Sequence, residues 1–499
     1  MSCSGELMTV SSASRAQLGL GASARRAVAV SAGKATRRGA RRLGKGDGTT
    51  VPGMVTLAFD PGALAGLLAE IPRGAVLVTG SNGKGTTCRM LAQVMRASGL
   101  HPVVNAEGAN QRAGLATTMV ARAALTGHLP PDSLAIGLFE VDEGSFPEVL
   151  RQVSQPRAVV FTNIFRDQLD RYLEPAYIKA LLEQAMQSLP PDTALVLNAD
   201  DPRVAFVAPE ANNPRLYFGV EDPGLCRAEA DPTSDFPRCP RCGGELTYSR
   251  VYYAHLGHWA CRGCGLARPQ PQVRLTKADL TGAYSTRLLV ATPTAEATLE
   301  IPLPGLYNAY NALAAVAAAS QCQLPEGSLT SIEQTTTAFF RMEKVRVTGH
   351  DVYLALAKNA NGYTEVLRAV LGDRQPKQML LGLNDYPGKQ PDTSWIWDVD
   401  FASLTGLIPA PVISGNRAAD LAVRLKYAGW AGAGGDSGLA IEPDPVRAFQ
   451  TALARAPAGQ PLWVVSTSVV LWEVRRWLTD HGYVHQLWRE QTGAGTWQA

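Results

Sequence analysis

Residues 76–91, VLVTGSNGKGTTCRML, set Gly80, Ser81, Asn82, Gly83, Lys84, Gly85, Thr86 and Thr87 between an apolar run and a helical pattern. The chemistry such a set can do is to hold phosphate. Gly80 and Gly83 let backbone N–H groups approach phosphate oxygens, the start of a helix favours negative charge, and Lys84 is a point charge for β- and γ-phosphates. A hydroxyl of Thr86 or Thr87 suits Mg2+. The spelling is a variant of the common loop: GxxxxGK[ST] needs Gly at 78, where Val stands, and Ser or Thr at 85, where Gly stands. Taken alone, the stretch also reads as a structural turn.

The second cluster with a chemistry of its own is Cys239 and Cys242 in CPRC with Cys261 and Cys264 in CRGC, two CxxC knuckles separated by 18 residues. That is the spacing of a zinc ribbon, in which four thiolates close a tetrahedral ion and leave it no open position, so the metal is read as structural Zn2+. Gly243 and Gly265 follow the two pairs, where such turns favour positive φ. A disulfide pair is the competing reading; Cys3, Cys88, Cys226 and Cys322 show no framework to support it. His255 and His258, between the knuckles, read as packing or surface residues rather than ligands.

These residues need elements to position them. AVLVTG, LAIGLFEVD (134–142), RAVVFTNI (157–164) and TALVLNAD (193–200) are apolar runs that alternate with helical stretches such as YIKALLEQAMQSL, the pattern of a doubly wound parallel sheet. LAFDPGALAGLLAEI, just before the phosphate loop, reads as a short strand and an amphipathic helix. The cysteine segment at 236–268 interrupts this alternation between DPTSDFP and RPQPQ. From about residue 339 a second α/β series begins with VYLALA, KQMLLGL, APVISG and PLWVVSTS. The expected division is a basic arm at 1–52, a central nucleotide domain at 53–338 carrying the ribbon, and a C-terminal Rossmann-like domain at 339–499.

The bulk numbers narrow the function classes. A chain of 499 residues that is 46% hydrophobic can build several cores, and a net charge of +3 argues against nucleic acid as its partner. No apolar run is long enough to span a membrane and the first residues lack the pattern of a secretory signal, so a cytoplasmic protein is expected. The charge is uneven: residues 15–45 hold Arg15, Arg25, Arg26, Lys34, Arg37, Arg38, Arg41, Arg42 and Lys45 and no acid. Two readings stay open, a solvated helix or loose arm, or a segment held near anionic head groups or an anionic substrate.

TGSNGKGTT resembles the loop of the Mur ligase superfamily, which includes the peptidoglycan amino-acid-adding ligases and folylpolyglutamate synthetase, the Gly after Lys being nearer the folate enzyme's spelling. EVDEGSF (140–146), NIFRDQLDRY (163–172), NADDP (198–202) and GLYNAYNALAA (305–315) follow in the superfamily's order. The resemblance implies an ATP site in which Glu140 or Asp142, with Glu143 next in reach, holds Mg2+, and in which Asn308 and Asn311 meet adenine edges. For Asp200 and Asp201 a ribose or metal role competes evenly with a turn and helix cap. Gln168 stands where the amino-acid-adding ligases carry a histidine ligand, Glu183 where they carry a carbamylated lysine, and LALAKNANG (354–362), with Lys358 and Asn359, where they spell DDYAHNP.

Those departures, the ribbon, LNDYPGKQPDTSWIWDVDF (383–401), SGNRAADLAVRLKYAG (414–429) and STSVVLWEVRRWL (466–478) resemble the MurT family, ligase-like subunits of lipid II isoglutaminyl synthase, from about residue 22 to about 480. The resemblance implies ATP-dependent amidation of the α-carboxylate of D-glutamate in lipid II through an acyl phosphate, with Lys84 and Mg2+ carrying charge; Lys358 either adds to it or is a plain surface lysine. No cysteine here sits in a nucleophile elbow, so ammonia implies a separate glutaminase subunit, GatD-like in the family. Asp392 and Asp398 are the candidates to complete that partner's triad; a helix cap or an arginine pair is the plain alternative for each. Lipid II as substrate implies work at the inner face of the membrane. The competing functions are a standalone amino-acid ligase of the folylpolyglutamate synthetase kind, favoured by the loop spelling, and a non-catalytic nucleotide-binding scaffold.

Overall fold

The computed structural model describes residues 20–42, 49–106, 108–165, 175–227, 238–280, 285–335, 341–372, 375–385, 392–430 and 438–484. Ahead of the first sheet lie α1 (Leu20–Arg42), α2 (Val51–Phe59) and α3 (Ala63–Leu68). The short strand expected at the start of LAFDPGALAGLLAEI is therefore absent: Leu57–Phe59 end α2, and a turn at 60–62 leads into α3. VPGMVTLAF has Pro52 in its first turn, where proline's missing N–H costs nothing, and it buries Pro52, Gly53 and Thr56 on one helical face. Arm residues 20–42 are helix as well, with Ala29 and Val30 fully buried.

Then follow β1 (Ala75–Thr79), α4 (Lys84–Ala97), β2 (His101–Val104), α5 (Arg112–Arg122), β3 (Ala135–Glu140), α6 (Phe146–Leu150), β4 (Pro156–Phe161), α7 (Pro175–Met186), β5 (Ala194–Asn198), α8 (Pro202–Ala205) and β6 (Arg215–Val220). The hairpin β7 (Leu246–Tyr253) and β8 (Leu256–Cys261) carries the second cysteine pair, and β9 (Val273–Asp279), β10 (Thr286–Ala291) and β11 (Glu296–Ile301) return to the sheet before α9 (Leu306–Gln321). The nine strands run β11-β10-β9-β6-β5-β4-β1-β3-β2. From β2 through β9 neighbouring pairs are parallel, whereas β9, β10 and β11 pair antiparallel, an extension the sequence pattern does not announce.

β1 lies between β3 and β4, so successive connections leave it in opposite directions. Such a switch point opens a crevice at the carboxyl ends of the strands. The phosphate loop follows β1, EVDEG follows β3 and NIF follows β4, which is why three segments distant in sequence share one rim. α4 and α9 cover one face of the sheet. α9 is buried on nearly every side, and its alanines let it lie close to the sheet and to α4.

The second sheet is built from β12 (Arg341–Val347), β13 (His350–Leu356), β14 (Gln378–Gly382), β15 (Val412–Ser414), β16 (Ala440–Ile441) and β17 (Leu462–Ser466), with α10 (Ala360–Gly372) after β13. Its order is β12-β13-β17-β14-β15-β16, parallel except for β12. No helix among the described residues is long and apolar enough to cross a membrane.

Candidate nucleotide site and its cysteine ribbon

The phosphate loop is fastened from behind. Ser81 N–H donates to the Asn163 carbonyl at 2.9 Å, Asn82 N–H to Asn163 Oδ1 at 2.9 Å, and the Thr162 and Asn163 side chains donate to the Asn82 carbonyl at 2.7 and 3.1 Å. Ser81 Oγ accepts from Phe165 N–H at 3.0 Å, so its hydroxyl serves the loop's footing. Gly80 and Gly83 have φ of +129° and +87°, in the region glycine favours. A Cβ on Gly83 would stand 1.9 Å from Asn311 Oδ1, and one on Gly85 would stand 2.9 Å from Glu140 Oε2. The unusual Gly after Lys84 thus lets the carboxylate at the end of β3 approach the first turn of α4. Gly85→Ser, which restores the common spelling, should push Glu140 aside and lower kcat/KM for ATP about ten-fold or more, read in a steady-state ATPase assay.

Lys84 and its neighbouring acids form a cluster that is short of positive charge. Lys84 Nζ donates to Glu143 Oε2 at 2.9 Å, to the Ser81 carbonyl at 3.3 Å and to the Gly80 carbonyl. Burial alone would lower the ammonium's pKa, but Glu143, Glu140 and Asp142 outweigh it and hold Lys84 above its ordinary value. Burial also pushes the Glu143 carboxyl up, aided by Asp142 and opposed by Lys84 and Lys358. Both directions have one meaning: Glu140, Asp142 and Glu143 crowd buried Lys84, with Lys358 also acting on Glu143, so acids outnumber lysines and a cation added there would be stabilised. The backbone of Glu140 is set by Asn105, which accepts from its N–H at 2.9 Å and donates to its carbonyl at 3.0 Å, and Asn110 donates to its side chain at 3.2 Å. Oxygen ligands of this kind suit Mg2+.

A cleft opens beside this cluster between the two sheets. Its wall is made by Asn82, Gly83 and Thr86 of the loop, Asn308 and Asn311 of α9, and Gly362, Glu365 and Val366 of α10. Thr86 faces the cleft, whereas Thr87 is fully buried and donates to the Asn311 carbonyl at 3.5 Å. Asn308 and Asn311 share a helical face, the second donating to the first at 3.2 Å. Asn359, from the segment that departs most from the amino-acid-adding ligases, donates to Asn82 Oδ1 at 3.2 Å. The Asn82 amide nitrogen is buried and makes no well-formed hydrogen bond to protein, with Tyr253 beside it, so a phosphate oxygen would satisfy it. The residues present fit ATP and Mg2+.

The ribbon is anchored on the same rim. The four cysteine sulfurs lie within 4.8 Å of one another, with Cys239–Cys264 at 3.6 Å and Cys242–Cys261 at 3.5 Å. A tetrahedral ion with Zn–S of about 2.3 Å has sulfur separations of about 3.8 Å, so the set fits one metal. Gly243 and Gly265 both have φ of +71°. His255 and His258 are not in the metal set: buried His255 pairs with Asp201 at 3.2 Å, and His258 Nε2 lies 2.9 Å from the Val220 carbonyl. Asp201 caps α8 through Arg203 N–H and also accepts from Ile164 N–H at 2.8 Å; Asp200 holds Arg268 at 2.6 Å and Tyr310 at 2.7 Å. Of the two readings of this acidic pair, the structural one fits: both side chains are fully buried and spent on anchoring the ribbon and the strand ends.

Tyr253, at the end of β7, lines the nucleotide cleft, lies against Asn82 and packs on Phe165 at 5.1 Å. Tyr307 and Glu365 line it too. Sequence reasoning missed these three. The spacing of Gly362, Glu365 and Val366 on one face of α10 is a usable signal for Glu365, but nothing local marks Tyr253.

Other expected residues fall elsewhere. Glu183 makes an ion pair with Lys179 on its own helix, and Gln168 lies outside the described residues. Asp392 Oδ1 accepts from Ser394 N–H at 2.8 Å, a local turn bond just ahead of the 3₁₀ turn Ser394–Asp398, whose N-cap is Thr393. Asp398 and Asp400 act electrostatically on Arg424, whose pKa burial nevertheless lowers. Trp395 packs on Tyr363 at 6.2 Å, while Trp397 is exposed beneath Arg424 and beside Tyr427.

Fold and loop together define a ligase of the Mur type, and residues 78–235 match the Mur ligase middle domain family. The pseudomurein peptide ligase type C from Methanothermus fervidus superposes with a TM-score of 0.61 at 20% identity, over 82% of this chain and 79% of that one. Residues 356–467 match the MurT ligase C-terminal family. The MurT subunit of lipid II isoglutaminyl synthase (glutamine-hydrolyzing) from Streptococcus pneumoniae is 34% identical over 80% of this chain and 86% of its own. The corresponding subunit from Staphylococcus aureus strain N315 is 31% identical, over 80% and 87%. The chain belongs to the MurT family.

Proposed function

We propose that this ligase amidates the α-carboxylate of D-glutamate in lipid II, forming D-isoglutamine during peptidoglycan synthesis. The observation that carries the reading is the contact of Asn359 with Asn82: the KNANG stretch, whose spelling departs from that of the amino-acid-adding ligases, meets the phosphate loop. A carboxylate oxygen of the substrate attacks the γ-phosphorus of ATP and the bond to ADP breaks. Ammonia then attacks the acyl carbon, phosphate leaves with the C–O electron pair, and the nitrogen loses a proton. Lys84 and Lys358 offset charge on the transferred phosphoryl group, and Asn82 donates to one of its oxygens. Glu140, Asp142 and Thr86 would hold Mg2+, which would supply Lewis-acid charge stabilisation at the phosphoryl group. Asn308 and Asn311 orient adenine. Zn2+ on Cys239, Cys242, Cys261 and Cys264 is structural, because four thiolates leave it no open position.

Ammonia comes from a GatD-like glutaminase subunit, which takes an acid from Asp392 or Asp398. The central domain at 53–338 supplies nucleotide chemistry and the domain from 339 onward supplies the partner-facing acids, in the cytoplasm at the inner membrane face. The test is mass spectrometry of lipid II incubated with the protein, ATP, Mg2+ and concentrated ammonium. Conversion of one carboxyl to a carboxamide is expected. Addition of glutamate to a folate or peptidoglycan precursor in a parallel reaction, with no amidation, would move the protein to the amino-acid-adding branch.

A further inference from the structure

The outer surface of α1 and α2 takes no part in the chemistry above. The exposed face of α2 is apolar: Val51 and Met54 are 53% and 57% exposed, Phe59 is 55% exposed, and VPGMVTLAF contains no charge at all. Beside it, α1 exposes Val28 at 58% and, toward its C-terminal end, Arg38 and Arg42. No acid occurs in α1. Among the described residues, two acids that α1 meets are already engaged, Asp60 with Arg25 at 3.4 Å and Glu70 with the buried Arg26 at 2.8 Å.

The two helices are locked together and onto the domain. A Cβ on Gly33 would stand 2.2 Å from Thr56 Oγ1 and 3.1 Å from the Pro52 carbonyl, and one on Gly53 would stand 1.8 Å from the Ala113 carbonyl, so α1, α2 and α5 pack closely at these glycines. Arg26 and Glu70 both meet His128, at 3.0 and 2.7 Å, which pins the first half of α1. The face is therefore preformed. Exposed bulky apolar side chains beside a basic helix end are what a bilayer interface accepts: the apolar residues enter the head-group boundary and the arginines meet anionic lipid.

We propose that this face docks the protein on an anionic lipid bilayer, with α2 as the apolar contact and the C-terminal half of α1 as the charge contact. The proposal stands on this surface alone; the lipid-linked substrate proposed above would give it a use. The experiment is co-flotation of the full chain with phosphatidylglycerol–phosphatidylcholine vesicles, with pure phosphatidylcholine vesicles as control, at low and high salt. Binding to the anionic vesicles alone, weakened by salt, is expected. Arg38→Ala with Arg42→Ala should weaken partition on the order of 30-fold, and Met54→Asp should also reduce it, with thermal melting of both variants unchanged. Absence of binding at low salt, or binding indifferent to both variants, overturns the proposal. So does light scattering in which the wild-type chain is a dimer that Met54→Asp makes monomeric, because the face would then be covered by a second copy. ATP turnover is read in the same samples, so a failure of docking and a failure of the proposed reaction are separable.

Discussion

Lys84→Met should reduce ATP-dependent amidation at least about 1000-fold, roughly 4 kcal/mol of transition-state stabilisation, measured as ATP turnover with ammonium as nitrogen source. Lys84 opens α4 directly after Gly83, and its ammonium lies where the helix start, Glu143 and the loop carbonyls converge. A neutral side chain there removes the buried ammonium that Glu143, Glu140 and Asp142 all act on, each raising its pKa. The same change leaves Glu143 buried without its cation, so stability should fall as well, by about 3–5 kcal/mol if the carboxylate stays ionised. The double variant Lys84→Met with Glu143→Gln separates the two effects. It should recover most of the melting temperature and none of the turnover. Near-normal turnover in Lys84→Met would mean that the phosphate site lies elsewhere.

Removing the metal from the ribbon should weaken nucleotide binding as well as loosen the ribbon itself. Structural zinc sites of this kind supply about 10–16 kcal/mol of apparent binding free energy in isolated peptides, so the knuckles are not expected to hold without it. Their loss would reach the phosphate loop through the packing of the hairpin. Trp259 of the hairpin donates to the Ala199 carbonyl at 3.0 Å, and His255 and Tyr253 pack on Phe165 at 5.0 and 5.1 Å. Phe165 N–H in turn holds Ser81. Chelation, or Cys261→Ser, should therefore raise the dissociation constant for a fluorescent ATP analogue ten-fold or more. Tyr253→Ala should reproduce about ten-fold of this with the metal retained, the loss expected for one aromatic wall of a base pocket. Unchanged nucleotide affinity after the metal is stripped would reduce the ribbon to an independent module.

The sequence by itself determined the local chemistry. The phosphate loop, the two cysteine knuckles and their glycines, and the strand–loop–helix order were all legible, because each depends on residues within one or two turns of chain. The apolar runs announced both sheets for the same reason. What such periodicity could not set was LAFDPG, whose few apolar residues serve a strand or a helix equally and were decided by packing of α2 against α1 and α5. The antiparallel edge of the first sheet was likewise a matter of which strand found which neighbour.

Only the tertiary structure decided which groups share the site. Glu143 meets Lys84 from 59 residues away, and Asn359 meets Asn82 from 277 residues away. Asn311 fixes the need for glycine at 83, and Glu140 that at 85, although neither reason is written near the loop. Asp200 and Asp201 could have been ligands or anchors until Arg268, Tyr310 and His255 were placed around them. The physical reason is common to all of these: a side chain's type fixes what it can bond, but burial and the partners brought to it by distant strands fix which bond it makes and what charge it carries.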